Sequence, residues 1–218
     1  MAKPRLSRFA APILLALLFI GIVFLFPEPA QAMHIAEGIL PIDWALFWYV
    51  LAFIFVGLGI FFIKRSASQV KALMPLLGLA GAAVFLISCL PIPVPFTGTC
   101  SHPCGTPLAA ILVGPFISTV LAAIALLLQA LFLAHGGIST WGANIMSMGV
   151  MGSFVGFAVF AVSRKFKCPI FIAAFLAGTL GDWATYATTS IELAAGANVE
   201  RIPTTTSILH IISHPLAC

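Results

Sequence analysis

Ile42 to Ile63 reads IDWALFWYVLAFIFVGLGIFFI, and Lys64 and Arg65 follow it directly. Beyond the acid at its start no charge interrupts the run, which is long enough for the roughly 20 apolar residues that a helix needs to cross the hydrocarbon of a bilayer. In lipid every backbone N–H and C=O must find a partner inside the segment, so this run is expected to be a helix. The two cations at its end favour the cytoplasmic face, which leaves the residues before Ile42 outside. Composition agrees: 61% of the 218 residues are hydrophobic and 7% are charged, against about 25% charged in a soluble domain. The expected fold class is an all-α polytopic membrane protein.

Working toward the C-terminus, Lys71 adds a third cation to the loop, and the apolar run 72–90 returns the chain to the outer side. It arrives at Pro91-Ile92-Pro93-Val94-Pro95-Phe96-Thr97-Gly98-Thr99-Cys100-Ser101-His102-Pro103-Cys104-Gly105-Thr106, where prolines and glycines exclude a regular helix. The next run, 107–134, exceeds the length of one span and is interrupted at Gly114-Pro115. Residues 107–113 therefore read as a short helical or re-entrant piece, and 116–134 as a span ending at His135-Gly136-Gly137. Non-helical backbone at membrane depth survives only where protein or a cavity covers it, so the interruption points to a site. Spans follow at 142–162 and 169–195, with Gly152 and Gly156, then Ala173, Ala177 and Gly181, at the small-xxx-small spacing that lets helices approach in lipid. These ridges serve either this chain's own bundle or a membrane partner. Simple alternation would put Arg164, Lys165 and Lys167 outside, so either the 107–134 region changes the parity or this cluster is an exception. The last segment, 202–218, is apolar but short, and the chain stops within it.

Working toward the N-terminus, Met33-His34-Ile35-Ala36-Glu37-Gly38-Ile39-Leu40-Pro41 is preceded by Ala30-Gln31-Ala32. Lys3, Arg5 and Arg8, the apolar run 9–26 and this Ala-x-Ala together read as a secretory signal, with an uncleaved anchor as the alternative. The expected division is a cleavable signal peptide at 1–32 and a single transmembrane metal-binding domain at 33–218. The full chain carries +4; removal of 1–32 leaves seven basic and five acidic side chains. That small, scattered excess excludes a nucleic-acid footprint and suits topology markers beside a lipid bilayer.

Chemistry is constrained first by what is missing. No G-x-x-x-x-G-K-[ST] loop is present, so any ATP hydrolysis belongs to a separate subunit, and the chain lacks H-E-x-x-H and G-x-S-x-G. The five cysteines, Cys89, Cys100, Cys104, Cys168 and Cys218, suggest no disulfide framework. Cleavage before Met33 would free an α-amine that, with the His34 amide nitrogen and the His34 ring, closes fused chelate rings on one cation. Two spans return His102 to the same face, and its imidazole completes a square of nitrogens. Such a set suits Ni(II) or Cu(II), and Co(II) can adopt it, whereas Zn(II) prefers a tetrahedron and Mg(II) wants oxygen. The candidate metal ligands are thus Met33, His34 and His102. Glu37 is a candidate to orient His34. His210 and His214 form an i,i+4 pair, His135 reads as helix-end chemistry, and Asp182 and Glu192 are acids within an apolar run that are functional or paired by default. A rival of another class is a metal-dependent membrane enzyme using Cys100, His102 and Cys104.

Met33 to Pro41 resembles the mature start of the CbiM/NikM family, the substrate-binding membrane components of energy-coupling factor (ECF) transporters for cobalt and nickel. Thr99-Cys100-Ser101-His102-Pro103 through Gly114-Pro115 resembles its second motif, and Ala134-His135-Gly136-Gly137 to Trp141-Gly142-Ala143-Asn144 its third. The resemblance implies a bundle of about six to seven helices with an extracytoplasmic mature amino terminus, in the inner (plasma) membrane. Its implied partners are a transmembrane coupling subunit, ATP-binding subunits and a small accessory membrane subunit. It implies a transporter component rather than an enzyme, with no catalytic cofactor and with Co(II), or Ni(II), as cargo bound by Met33, His34 and His102. The Ser-His-Pro and Ala-His-Gly-Gly forms resemble the cobalt branch more than the nickel branch. Cys104 stands where the cobalt branch has threonine, and the family's last helix is expected after Ser213-His214-Pro215 but missing from the chain.

Overall fold

The computed structural model describes residues 34–67, 72–90, 92–94 and 99–196. Met33, the expected signal at 1–32, and the terminal segment with His210, His214 and the expected missing helix lie outside the described residues. Helix α1 is Ile42–Ala67 and α2 is Leu73–Ser88. A hairpin follows, with β1 (Ile92–Val94) antiparallel to β2 (Thr99–Ser101) in the register Ile92↔Ser101 and Val94↔Thr99. Then come α3 (Thr106–Val113), α4 (Pro115–Leu133), α5 (Trp141–Lys165, with a π-helical stretch at Ile145–Met151) and α6 (Ile170–Gly196). Among the described residues α1, α4, α5 and α6 are long and apolar enough to cross a membrane, and α2 is a shorter apolar helix. The expected all-α polytopic class is what these residues form.

The interruption at Gly114-Pro115 is a change of chain direction. Gly114 takes φ +90 with open space around a hypothetical Cβ, so it is the backbone conformation that calls for glycine there. It joins α3 to α4 as a hairpin: α3 completes a passage that residues 102–105 begin, and α4 brings the chain back. Two contacts fix the levels. Phe116, at the start of α4, lies against Gly59 toward the far end of α1, and His135, just past the end of α4, lies against His34. The 107–134 region therefore changes the parity. From the His34 face α5 runs away over 25 residues, about 37 Å at 1.5 Å per residue. Arg164 and Lys165 thus end on the face of Lys64 and Arg65, and α6 climbs back until Gly196 packs on Leu40 and Pro41. The difficulty with the positive cluster is resolved.

The small-residue ridges serve the chain's own bundle. A Cβ on Gly156 would stand 2.5 Å from Pro107 Cβ, and one on Gly181 would stand 2.6 Å from Pro107 Cγ and 3.1 Å from the Gly152 carbonyl. Ala173 and Ala177 are fully buried. Half-helix α3 is wedged between α5 and α6, and only glycine leaves room for it, which is how apolar helices gain packing energy in a solvent as apolar as themselves. Where α5 widens to π geometry, its carbonyls are taken by side chains: Thr106 Oγ1 donates to Met148 O at 2.7 Å and Thr119 Oγ1 to Gly149 O at 3.1 Å. Large apolar side chains such as Phe53, Ile54, Phe171 and Phe175 stay exposed on the outer helix faces, as a lipid-facing surface requires.

Candidate metal centre

Three segments meet above the bundle. The first, 34–41, has no regular structure, yet His34, Ile35 and Leu40 are buried. Backbone without a helix must find partners elsewhere, and Asn144 at the start of α5 supplies them: Ile35 N–H donates to Asn144 Oδ1 at 2.9 Å, and Asn144 Nδ2 donates to Ile35 O at 3.2 Å. Thr140 Oγ1 donates to the same carbonyl at 2.5 Å. Gly137 permits this docking, since a Cβ there would stand 2.6 Å from the Glu37 backbone nitrogen.

Glu37 does not orient His34. Its exposed carboxylate accepts the Ser139 N–H at 3.0 and 3.2 Å, clipping the two loops together. Those bonds hold its carboxyl below the usual range.

The second segment leaves β2 and delivers His102, which is 2% exposed. Its neighbour Cys104 turns the other way, into the helices. The Cys104 Sγ lies 2.9 Å from Thr106 Oγ1 and faces the Met148 carbonyl, while its N–H donates to Asp182 Oδ1 at 3.1 Å. A thiol so buried is a small packing group rather than a thiolate. Asp182 is accordingly a paired acid. Cys100 has no described side chain.

The third segment is the end of α4. Ala134 closes the helix in the left-handed region at φ 49, His135 N–H donates to Gln129 O at 3.2 Å, and Gly136 follows at φ +81. This turn aims the His135 ring at the other two. Ring centroids are 4.4 Å apart for His34 and His135, 4.6 Å for His102 and His135, and 6.2 Å for His34 and His102. His34 and His102 were expected to share a face and do. His135, read from sequence as helix-end chemistry, sits between them; the left-handed turn that places it had no sequence signal beyond Gly136-Gly137.

Burial sets the charge state. His34 is pulled down to about 3 by loss of solvent and then by its neighbours His135 and His102. Desolvation and His135 bring His102 to about 4, and desolvation lowers His135. All three are neutral at pH 7, the form that binds metal. Both ring nitrogens of His34 and the Nε2 of His135 are buried without a hydrogen-bonding partner. The Gln129 amide reaches toward the His34 ring without closing a bond of normal geometry, and its Oε1 is likewise unsatisfied. Buried polar atoms left open in this way cost about 1–3 kcal/mol each, and nitrogen donors are what a borderline transition metal ion would satisfy. Among the described residues no three His, Cys, Asp or Glu side chains stand in metal-holding geometry, so a site here needs donors beyond side chains. Glu192 is buried near Ser147, with neither carboxyl oxygen hydrogen-bonded within the described residues.

The family profile described as "CbiM: Cobalt uptake substrate-specific transmembrane region" matches residues 34–218. The Cobalt transport protein CbiM of Geobacter sulfurreducens is 56% identical over 172 residues, 79% of this chain and 50% of that protein. That of Sorangium cellulosum is 51% identical over 168 residues, 77% of this chain and 75% of that one. The chain thus spans about half the length of the first relative and three quarters of the second. In a crystal structure described as a truncated transition metal transporter, 25% identical, the fold superposes with a TM-score of 0.72 over 84% of this chain and 89% of that one.

Proposed function

This chain belongs to the CbiM family of cobalt uptake substrate-specific transmembrane regions, and we propose that it is the substrate-capture membrane subunit of an ATP-driven importer of the energy-coupling factor type, with Co(II) as its cargo. The observation that carries this reading is the arrival of two sequence-distant histidines, His34 and His102, at one buried place on the face opposite Lys64, Arg65, Arg164 and Lys165. With those cations cytoplasmic, the cluster lies toward the extracytoplasmic side, where an importer meets its substrate. Processing after Ala32 leaves Met33–Cys218 as one metal-binding domain and exposes the Met33 amine. The amine, the His34 amide and ring nitrogens, and His102 then capture the ion.

The chain carries no phosphate-binding loop, so a transmembrane coupling subunit and ATP-binding subunits supply the energy, with a small accessory membrane subunit alongside. Ni(II) is the second cargo to test, because a square of nitrogens suits it as well. Cys104, packed against Thr106 and away from the histidines, gives no support to an enzyme built on the Cys100-His102-Cys104 loop. The test is a Co(II) titration of purified, processed protein with and without His102→Ala. One ion per chain is expected, with affinity falling more than about 100-fold in the variant, since even outer-sphere losses cost 10–100-fold. Unchanged affinity would remove His102 from the site.

A further inference from the structure

We propose that His135 is a third imidazole donor to the captured ion and that it tilts the site toward Co(II) over Ni(II); the inference rests on the capture site proposed above. A metal–imidazole bond of ~2.0–2.1 Å, extended by the ~1.1 Å from nitrogen to ring centre, puts two imidazoles at right angles on one ion with centroids ~4.5 Å apart, and opposite ones ~6.3 Å apart. His135 stands 4.4 Å from His34 and 4.6 Å from His102, the right-angle spacing to both. The terminal chelate puts the His34 ring and His102 at adjacent corners of a plane, a spacing their 6.2 Å has yet to close. His135 is already at its spacing. The rings meet edge to face.

Two further observations point the same way. His135 Nε2 is buried without a hydrogen-bonding partner. The residues on either side of it, Ala134 and Gly136, are both left-handed, a conformation unfavourable for a non-glycine residue. Such strain persists where the surroundings demand it. Here they press the loop so close that a Cβ on Gly136 would stand 3.3 Å from His34 Cβ.

The chemistry then separates the two metals. Four nitrogens in a plane with open axial positions favour Ni(II). A fifth nitrogen along the axis removes the advantage of planar Ni(II) and gives Co(II) the five-coordinate field it readily accepts. Binding by a neutral imidazole moves no proton at His135.

The test uses protein beginning at Met33, stripped of metal and titrated with Co(II) alone or Ni(II) alone, for wild type, His135→Ala, His135→Gln, His34→Ala and His102→Ala. His135→Ala is expected to lose about tenfold or more in Co(II) affinity and less than about threefold in Ni(II) affinity. Its bound Co(II) should lose the splitting of one nitrogen from the electron paramagnetic resonance spectrum, and added imidazole should restore it. His135→Gln, which keeps the side chain's bulk, should behave like the alanine variant. An unchanged Co(II)/Ni(II) ratio with an unchanged spectrum would overturn the inference, as would equal losses for both metals with the spectrum intact. If His34→Ala and His102→Ala lose binding while His135→Ala does not, only the inference fails; if all three bind as wild type, the capture site itself fails.

Discussion

Asn144→Ala tests how the N-terminal segment is held. In the native chain Ile35 N–H has one partner, Asn144 Oδ1 at 2.9 Å, whereas Ile35 O has two, Asn144 Nδ2 and Thr140 Oγ1. Alanine therefore orphans the buried N–H but leaves the carbonyl its Thr140 bond. An orphaned buried donor costs about 1–3 kcal/mol, while loss of one bond from a doubly satisfied acceptor costs about 0.5–1.5 kcal/mol. Asn144→Ala loses both, about 1.5–4.5 kcal/mol together, and because Ile35 adjoins His34 that energy is taken from the order of the site, so at 1.4 kcal/mol per tenfold its Co(II) affinity should fall about 10- to 1,600-fold. Thr140→Val, which keeps the Asn144 bonds, should fall by about tenfold at most. Isothermal titration of processed protein with Co(II), with circular dichroism to confirm helix content, measures both. Asn144→Ala at wild-type affinity, or Thr140→Val weaker than Asn144→Ala, would show that Asn144 does not hold the Ile35 segment.

Other consequences follow from the same geometry. Gly137→Ala drives a methyl group into the Glu37 backbone, a contact no side-chain rotation relieves. It should destabilise by about 1–3 kcal/mol, read as a lower thermal midpoint in detergent and weaker Co(II) binding. Cys104→Ser keeps a hydrogen-bonding group beside Thr106 and lies off the histidine cluster, so its Co(II) affinity should match wild type; a marked loss would return the thiol to the site. Because His34 and His102 stay neutral in the fold to about pH 3 and about 4, while unfolded histidines take up protons near pH 6.5, their contribution to stability is complete above about 6.5. It is lost as pH falls through the folded values. Denaturation midpoints that rise between pH 4 and pH 6.5 and then level off would agree, and a flat profile would not. For the same reason, ion capture at pH 7 should release about two protons, from the amine and the amide, and none from imidazole.

Much of this was legible in the sequence because lipid imposes a simple rule. Runs such as 42–63 have no conformation other than helix, and charge at their ends orients them. His34 and His102 were placed on one face by counting spans, which needs no tertiary detail. The parity of the second half was not fixed, since Gly114-Pro115 reads equally as a kink, a loop or the hairpin between α3 and α4 that it is. The π-helical stretch at Ile145–Met151 carries no distinctive pattern, and the partners of its carbonyls, Thr106 and Thr119, come from other helices. His135 and Asn144 escaped for a related cause. One is aimed by a left-handed turn at an alanine, and the other reads backbone 109 residues away, and neither arrangement leaves a local trace.

The proposed capture site depends on the terminal amine exposed at Met33 being a metal donor alongside His34 and His102. Co(II) titration of protein beginning at Met33, compared with the same protein acetylated at that amine, tests it most directly. One ion per chain is expected for the free amine, with a loss of more than about 100-fold on acetylation. Equal affinity of the two forms would contradict it.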